Sequence, residues 1–165
     1  MSLKERHAAL QPWLSLLVRL SIAGILIFAA VPKLLDLPQS VIAVRAYRLL
    51  PEAIVPLVGH LLPFVELVVA ALMIAGAFTR AAAVVWQLMM AAFLVGVIWA
   101  WSQGLQIDCG CFGGGGELAE GEATDYPAYV AERVGFLALG FYLLVFPNSR
   151  YSVDGWMGPA TYTEK

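Results

Sequence analysis

The fold of this chain is decided by residues 81–101, which read AAAVVWQLMMAAFLVGVIWAW. Gln87 is the one residue in this stretch with a hydrophilic side chain. A helix that crosses the hydrocarbon core of a bilayer needs about 20 mostly apolar residues. Trp99 and Trp101 are typical of the aromatic belt at a membrane surface. The stretch therefore predicts a membrane-spanning helix that ends at a membrane–water boundary.

Three further stretches have the same character, and we predict spanning helices at about 13–35, 54–78 and 127–146 in addition to 81–101. The chain is 61% apolar and 13% charged, whereas soluble domains average about 45–50% and about 25%. These values predict an all-α, polytopic membrane protein, a four-transmembrane-helix bundle that forms one membrane domain over residues 1–165 and contacts membrane lipid. Since the chain has no block of basic residues, we expect no nucleic acid partner.

A short amphipathic helix is predicted between the first and second spanning helices. Residues 38–51 have apolar side chains at positions 41, 42, 44, 49 and 50 and cations at Arg45 and Arg48. This pattern favours a helix that lies on the membrane surface. Pro51 is expected to stop it.

The positions of lysine and arginine indicate the orientation of the bundle. With both termini in the cytoplasm, the inner side carries Lys4, Arg6, Arg80, Arg150 and Lys165, and Arg19 lies near its boundary. The outer side then carries Lys33, Arg45 and Arg48, so the bias is modest. We therefore expect a multi-pass protein of a bacterial inner membrane whose first helix is retained rather than cleaved as a signal peptide.

Both cysteines of the chain lie in the predicted loop 102–126, within the sequence Asp108-Cys109-Gly110-Cys111-Phe112-Gly113. The predicted orientation places this loop outside the cell, where a disulfide can persist. A bridge between Cys109 and Cys111 would close a very small ring, which stabilises a fold little, and strained or exposed disulfides are the more labile ones. These properties favour a redox-active centre, with a structural disulfide as the alternative. We expect no metal, because zinc needs about four ligands and the loop offers two thiols and no histidine.

Ionisable residues within the spanning stretches are the second group of candidates. Such residues are costly in a bilayer and usually face the bundle interior. Glu66 lies near the middle of the second predicted helix, with His60 six residues before it, and Arg19 lies inside the first. Glu66 or His60 would handle protons beside the cysteines, or Glu66 would pair with a cation that holds two helices together. The sequence leaves both interpretations open.

Several residues together resemble a known family. They are Arg19, Lys33-Leu34-Leu35-Asp36, Tyr47, Leu50-Pro51, Pro63, Glu66, Gly104, the Cys109-Gly110-Cys111-Phe112-Gly113 motif and Arg133. With these residues the chain resembles the MauE-type branch of the MauE/DoxX family of redox-associated four-helix membrane proteins. The cysteine motif is the most specific feature, whereas the Gly-rich acidic segment that follows it departs from the family pattern.

The resemblance implies a role in disulfide formation or electron transfer at the membrane. The family's namesake is associated with maturation of methylamine dehydrogenase, and related four-helix oxidoreductases pass electrons from a thioredoxin-like protein to quinone. We therefore predict a membrane thiol–disulfide oxidoreductase with Cys109, Cys111, Glu66 and Arg19 as catalytic residues. It would exchange electrons between an extracytoplasmic thioredoxin-like partner or client and a membrane acceptor, for which quinone is the candidate cofactor. The alternative is a non-catalytic accessory subunit of a larger membrane complex, such as a respiratory complex, with a structural Cys109–Cys111 disulfide.

Overall fold

Four helices in the described part of the chain are long and apolar enough to cross a membrane. The structure is a computed structural model that describes residues 3–112, 114–119 and 122–157, with side chains from Leu10 onward. The long helices are α1 (Leu3–Leu35), α3 (Val55–Ala75), α4 (Thr79–Ser102) and α5 (Tyr126–Val145), and the short α2 (Leu37–Ala46) follows α1. The predicted bundle of four helices with one additional short helix is therefore confirmed.

Two helix ends differ from the predicted positions by three residues or more. Helix α1 begins at Leu3 rather than at Trp13, because residues 4–9 are mostly good helix formers that extend the helix beyond its apolar part, Leu10–Leu35. Helix α3 ends at Ala75 rather than at Phe78, since Gly76 follows it with φ 64°. A left-handed residue at this position is a common way to end a helix.

Helix α2 packs against α3. Asp36 caps α2 by accepting a hydrogen bond of 3.0 Å from the Gln39 backbone N–H. The buried face of α2 includes Val41, and a Cβ atom at Gly59 of α3 would lie only 2.7 Å from the Val41 Cα atom. The glycine is therefore needed for the close approach of the two helices. Helix α2 ends at Ala46, before Pro51, so the proline does not set its end.

The predicted loop contains a small hairpin that the sequence did not indicate. Strands β1 (Ile107–Asp108) and β2 (Gly116–Glu117) pair antiparallel, with Ile107 opposite Glu117. Two-residue strands are too short for an alternating pattern to reveal. Thr124 is bonded to strand β1 of the hairpin. Its Oγ1 atom accepts a hydrogen bond from the Ile107 N–H and donates one to the Ile107 carbonyl, both at 2.9 Å.

Two buried clusters form the core. The larger joins α1, α3, α4 and α5 around Trp86 and includes Ile22, Leu26, Val69, Ala70, Met73, Ala83 and Leu143. The smaller lies at the cysteine end of the bundle and consists of Ala46, Val97, Ala100, Ile107 and Tyr126. Large apolar side chains such as Leu17, Phe28, Leu88 and Phe141 are exposed on the outside of the bundle, as expected for helices surrounded by lipid.

The C-terminal segment, which includes α6 (Val153–Met157), packs against the end of the bundle where α4 begins. The Asp154 carboxylate accepts hydrogen bonds from the backbone N–H groups of Phe78 (2.7 Å) and Thr79 (2.8 Å) at the start of α4. A carboxylate at this position is stabilised by the partial positive charge of a helix N-terminus. The segment that follows α5 is thus attached to the start of α4 through Asp154.

Candidate functional site

The cysteines lie in the turn between β1 and β2, and the Asp108 side chain organises that turn. Its two carboxylate oxygens accept from the backbone N–H groups of Gly110 and Gly115, each at 3.3 Å. Gly110 has φ 63°, and a Cβ atom there would lie 2.6 Å from the Ala43 side chain of α2. Glycine between the cysteines is therefore required by both the backbone conformation and the contact with α2. Gly113, which closes the motif, lies outside the described residues.

Arg133 of α5 joins the two cysteines. Its Nη2 atom lies 3.0 Å from the Cys109 Sγ atom and 2.7 Å from the Cys111 Sγ atom. The arginine is 1% exposed, and its other terminal nitrogen, Nη1, contacts the Glu132 carboxylate. A buried guanidinium that donates to two sulfur atoms favours negative charge on them.

The two thiols are not equivalent. Cys109 is half-buried, whereas Cys111 is 8% exposed. A hydrogen bond from the Cys111 thiol lowers the pKa of Cys109 to about 6, and the positive charge of Arg133 acts in the same direction. The same hydrogen bond, together with burial, raises the pKa of Cys111 well above its ordinary value. The arrangement therefore favours a thiolate at Cys109 and a neutral thiol at Cys111.

Tyr47, just after α2, holds the backbone of the motif. Its hydroxyl group donates a hydrogen bond of 3.1 Å to the Cys109 carbonyl oxygen. Gly96 of α4 leaves room for the Tyr47 ring, since a Cβ atom at this position would lie 3.2 Å from the ring. The position of the cysteines thus depends on α2, α4 and α5 together.

Glu66 and Lys33 form a buried ion pair beside Cys111. The Lys33 Nζ atom lies 2.5 Å from the Glu66 Oε1 atom, and the side chains are 6% and 2% exposed. A small cavity of about 20 Å³ is lined by both members of the pair and by Cys111 and Arg133, which is enough volume for about one water molecule. The Glu66 Oε2 atom is buried without a partner among the described residues. The structure therefore brings Glu66 to the cysteines, 43 residues before Cys109 in the chain.

The family can now be assigned. The model of the family described as methylamine utilisation protein MauE matches residues 11–146. The chain belongs to the MauE family. No curated protein and no solved structure matches it.

In this MauE-family chain, Arg19 lies away from the cysteines. Its Nη1 atom donates to the Ser149 Oγ atom (2.6 Å) and its Nη2 atom to the Tyr151 carbonyl (2.9 Å). It precedes Lys33 by 14 residues in the same helix, which is about 21 Å at a rise of about 1.5 Å per residue. The contacts of Arg19 attach the C-terminal segment to α1, and the predicted catalytic role for it stays a prediction.

His60 also lies outside the site. It is exposed on α3, and its Nδ1 atom is 2.6 Å from the Pro56 carbonyl oxygen one turn earlier. Among the described residues, no group of three or more histidine, cysteine or acidic side chains is arranged to hold a metal ion. The candidate site in the described part of this chain consists of two thiols, a guanidinium, a tyrosine and a buried ion pair.

The sequence alone predicts no chemical role for Arg133. Its contacts with both cysteines depend on how α5 packs against the hairpin, which the spacing of 22 residues from Cys111 does not show. The available signal was its location in a spanning helix, where an arginine is costly and usually functional.

Proposed function

We propose that this MauE-family protein is a membrane thiol–disulfide redox protein. The Cys109/Cys111 pair exchanges electrons between an extracytoplasmic thioredoxin-like partner or client and an acceptor in the membrane. The observation that supports this most strongly is the contact of the Arg133 Nη2 atom with both sulfur atoms, at 3.0 and 2.7 Å. A fixed disulfide would not need a buried cation that stabilises thiolates.

The difference in exposure favours Cys109 as the entry point. A thiolate of the reduced partner attacks the Cys109 sulfur of the oxidised pair, forms a mixed disulfide and releases Cys111 as a thiolate beside Arg133. The second partner thiol then attacks the mixed disulfide, which leaves the partner oxidised and the Cys109/Cys111 pair reduced. Two electrons enter the pair in this step, and they leave when the acceptor oxidises it.

Glu66 and Lys33 supply the proton route in this proposal. Oxidation of a dithiol releases two protons, and Cys111 is only 8% exposed. The Glu66 carboxylate shares a cavity of about 20 Å³ with Cys111. A water molecule in this cavity would carry a proton from the Cys111 thiol to the unpartnered Glu66 Oε2 atom.

Mixed-disulfide trapping tests the function. In membranes of the natural host, Cys111→Ser should accumulate a covalent complex between Cys109 and a thioredoxin-like protein, visible by non-reducing electrophoresis and mass spectrometry. Cys109→Ser is the matched control and should trap far less, because Cys111 is buried. An absence of any mixed disulfide in both variants, with the protein recovered in stoichiometric amount with a respiratory complex, would instead support the accessory-subunit function.

A further inference from the structure

A cavity of about 260 Å³ lies between α2, α3 and α4, and the Cys-Gly-Cys segment forms one of its ends. Most of its wall is apolar and comes from Val44, Val58, Leu62, Met89 and Phe93. Whole small-molecule sites usually measure about 300–1,000 Å³. The cavity is therefore large enough for a ring system but not for a long prenylated molecule.

The cavity reaches the outside of the bundle at the level of the membrane. Ala92, Leu49 and Leu50 line it and are also exposed. Ala92 lies within the apolar span Thr79–Ser102, so this opening faces the position that lipid would occupy. An apolar molecule dissolved in the bilayer can therefore enter from the side without crossing water, and a long tail can remain outside.

One charged group faces the cavity close to the cysteines. An ammonium group has three N–H donors, and the Glu66 carboxylate accepts from that of Lys33 at 2.5 Å. The Lys33 Nζ atom also lies 6.0 Å from the centre of the Phe93 ring. Lys33 thus has further donors for an oxygen atom of a bound ring. The two other polar side chains in the wall already donate elsewhere, Ser40 to the Gly59 carbonyl and Tyr47 to the Cys109 carbonyl.

We propose that this cavity binds the ring of a membrane quinone, which is the acceptor that oxidises the Cys109/Cys111 pair. The inference rests on the function proposed above and identifies the acceptor and its position. The two thiols lose two electrons and two protons as the S–S bond forms, and the quinone takes up both to become a quinol. No further oxidant is needed. An acyl chain of a lipid would fill the apolar part equally well, but it would make no use of the Lys33 ammonium or of the adjacent thiols.

Filling the cavity tests the site. Ala92→Phe places a ring in the opening, and Ala91→Phe is the matched control, because Ala91 is exposed on the same helix and does not line the cavity. The reduced full-length protein in lipid nanodiscs is mixed with decylubiquinone or menadione, and quinol formation is followed by absorbance. Ala92→Phe should raise the KM for quinone about tenfold or more, whereas Ala91→Phe should stay close to the unsubstituted protein.

Quinone that co-purifies from host membranes provides a second measurement, which does not depend on turnover. Extraction should recover less quinone from Ala92→Phe than from Ala91→Phe. Equal quinone content and equal quinol formation in the two variants would overturn the proposal, as would loss of bound phospholipid alone from Ala92→Phe.

Exchange with thioredoxin separates this inference from the proposed function. Reduced thioredoxin should reduce the Cys109–Cys111 disulfide equally well in both phenylalanine variants. Normal exchange without any quinone reduction would overturn the quinone site and leave the redox function intact. Failure of exchange in the unsubstituted protein would overturn the redox function itself.

Discussion

At the scale of single residues, the chemistry depends on the position of one cation. The Arg133 guanidinium lies against both sulfur atoms in a site that excludes most water. An opposite charge at this distance commonly lowers an acid's pKa by about 1–3 units. Arg133 therefore favours the reactive thiolate at Cys109 and the leaving thiolate at Cys111.

Arg133→Ala should shift the reactivity of Cys109 to higher pH. The hydrogen bond from Cys111 and, after it, the positive charge of Arg133 lower the pKa of this thiol to about 6, so loss of the charge should move it back toward the value of about 8.5 for a free thiol. The rate of iodoacetamide alkylation against pH measures the midpoint. Arg133→Lys is the control, which keeps the charge without the planar donor group and should shift the midpoint less. An unchanged midpoint in Arg133→Ala would show that the guanidinium does not stabilise the thiolate.

The Lys33–Glu66 pair makes a second prediction at the residue scale. Glu66→Gln leaves the Lys33 ammonium buried without a countercharge and should lower the free energy of unfolding by about 3–5 kcal/mol. The double variant Lys33→Met/Glu66→Leu should recover most of that loss, because apolar replacement of a whole buried pair is often neutral or stabilising. Unfolding in SDS measures both. If the Lys33–Glu66 ion pair carries protons, oxidation of the Cys109/Cys111 thiols should stay slow in the stable double variant. Oxidation of the thiols at the normal rate would show that the ion pair serves packing alone.

At the scale of elements, the contact of α2 with α3 positions the cysteine turn. Gly59→Ala would bring a Cβ atom to 2.7 Å from the Val41 backbone and should destabilise the fold by about 1–3 kcal/mol. Displacement of α2 should also loosen Tyr47 and speed maleimide labelling of Cys109. Gly24→Ala is the control, since a Cβ atom there meets nothing within 4 Å and alanine favours a helix. Equal stability and labelling in the two variants would contradict this role of α2.

The elements also show how far the sequence predicts the structure. Hydropathy predicted four helices because each apolar stretch has the length of a membrane, and the amphipathic pattern of residues 38–51 predicted the short helix α2. The site could be predicted only in part. Glu66 and Arg19 have the same sequence signature, a charged residue in an apolar helix. Arg19 nevertheless lies about 21 Å along α1 from Lys33, the residue that pairs with Glu66. Only the three-dimensional arrangement shows that Lys33, and not Arg19, lies with Glu66 beside the cysteines.

At the scale of the whole molecule, the two ends of the bundle have different roles. One end holds the cysteine turn, and the other holds Arg19, Asp154 and the C-terminal segment. The distribution of lysine and arginine favours the second end in the cytoplasm. This orientation would expose Cys109 to partners outside the cell and keep the cavity opening within the bilayer.

Labelling from one side of the membrane tests this orientation. A membrane-impermeant maleimide should modify Cys109 in intact, reduced cells. In the Cys109→Ser/Cys111→Ser background, a cysteine introduced by Trp156→Cys, where the natural side chain is 93% exposed, should react only after lysis. Labelling of the introduced cysteine in intact cells would reverse the orientation.

The redox state of the Cys109/Cys111 pair in living cells shows whether the pair turns over. Cells are quenched with acid, free thiols are tagged with a maleimide that adds mass, and the oxidised fraction is read by electrophoresis while respiration runs and after it is blocked. A pair that turns over should be mostly oxidised during respiration and become reduced when the acceptor can no longer be reoxidised. A pair that stays fully oxidised under both conditions would contradict it and identify a structural disulfide.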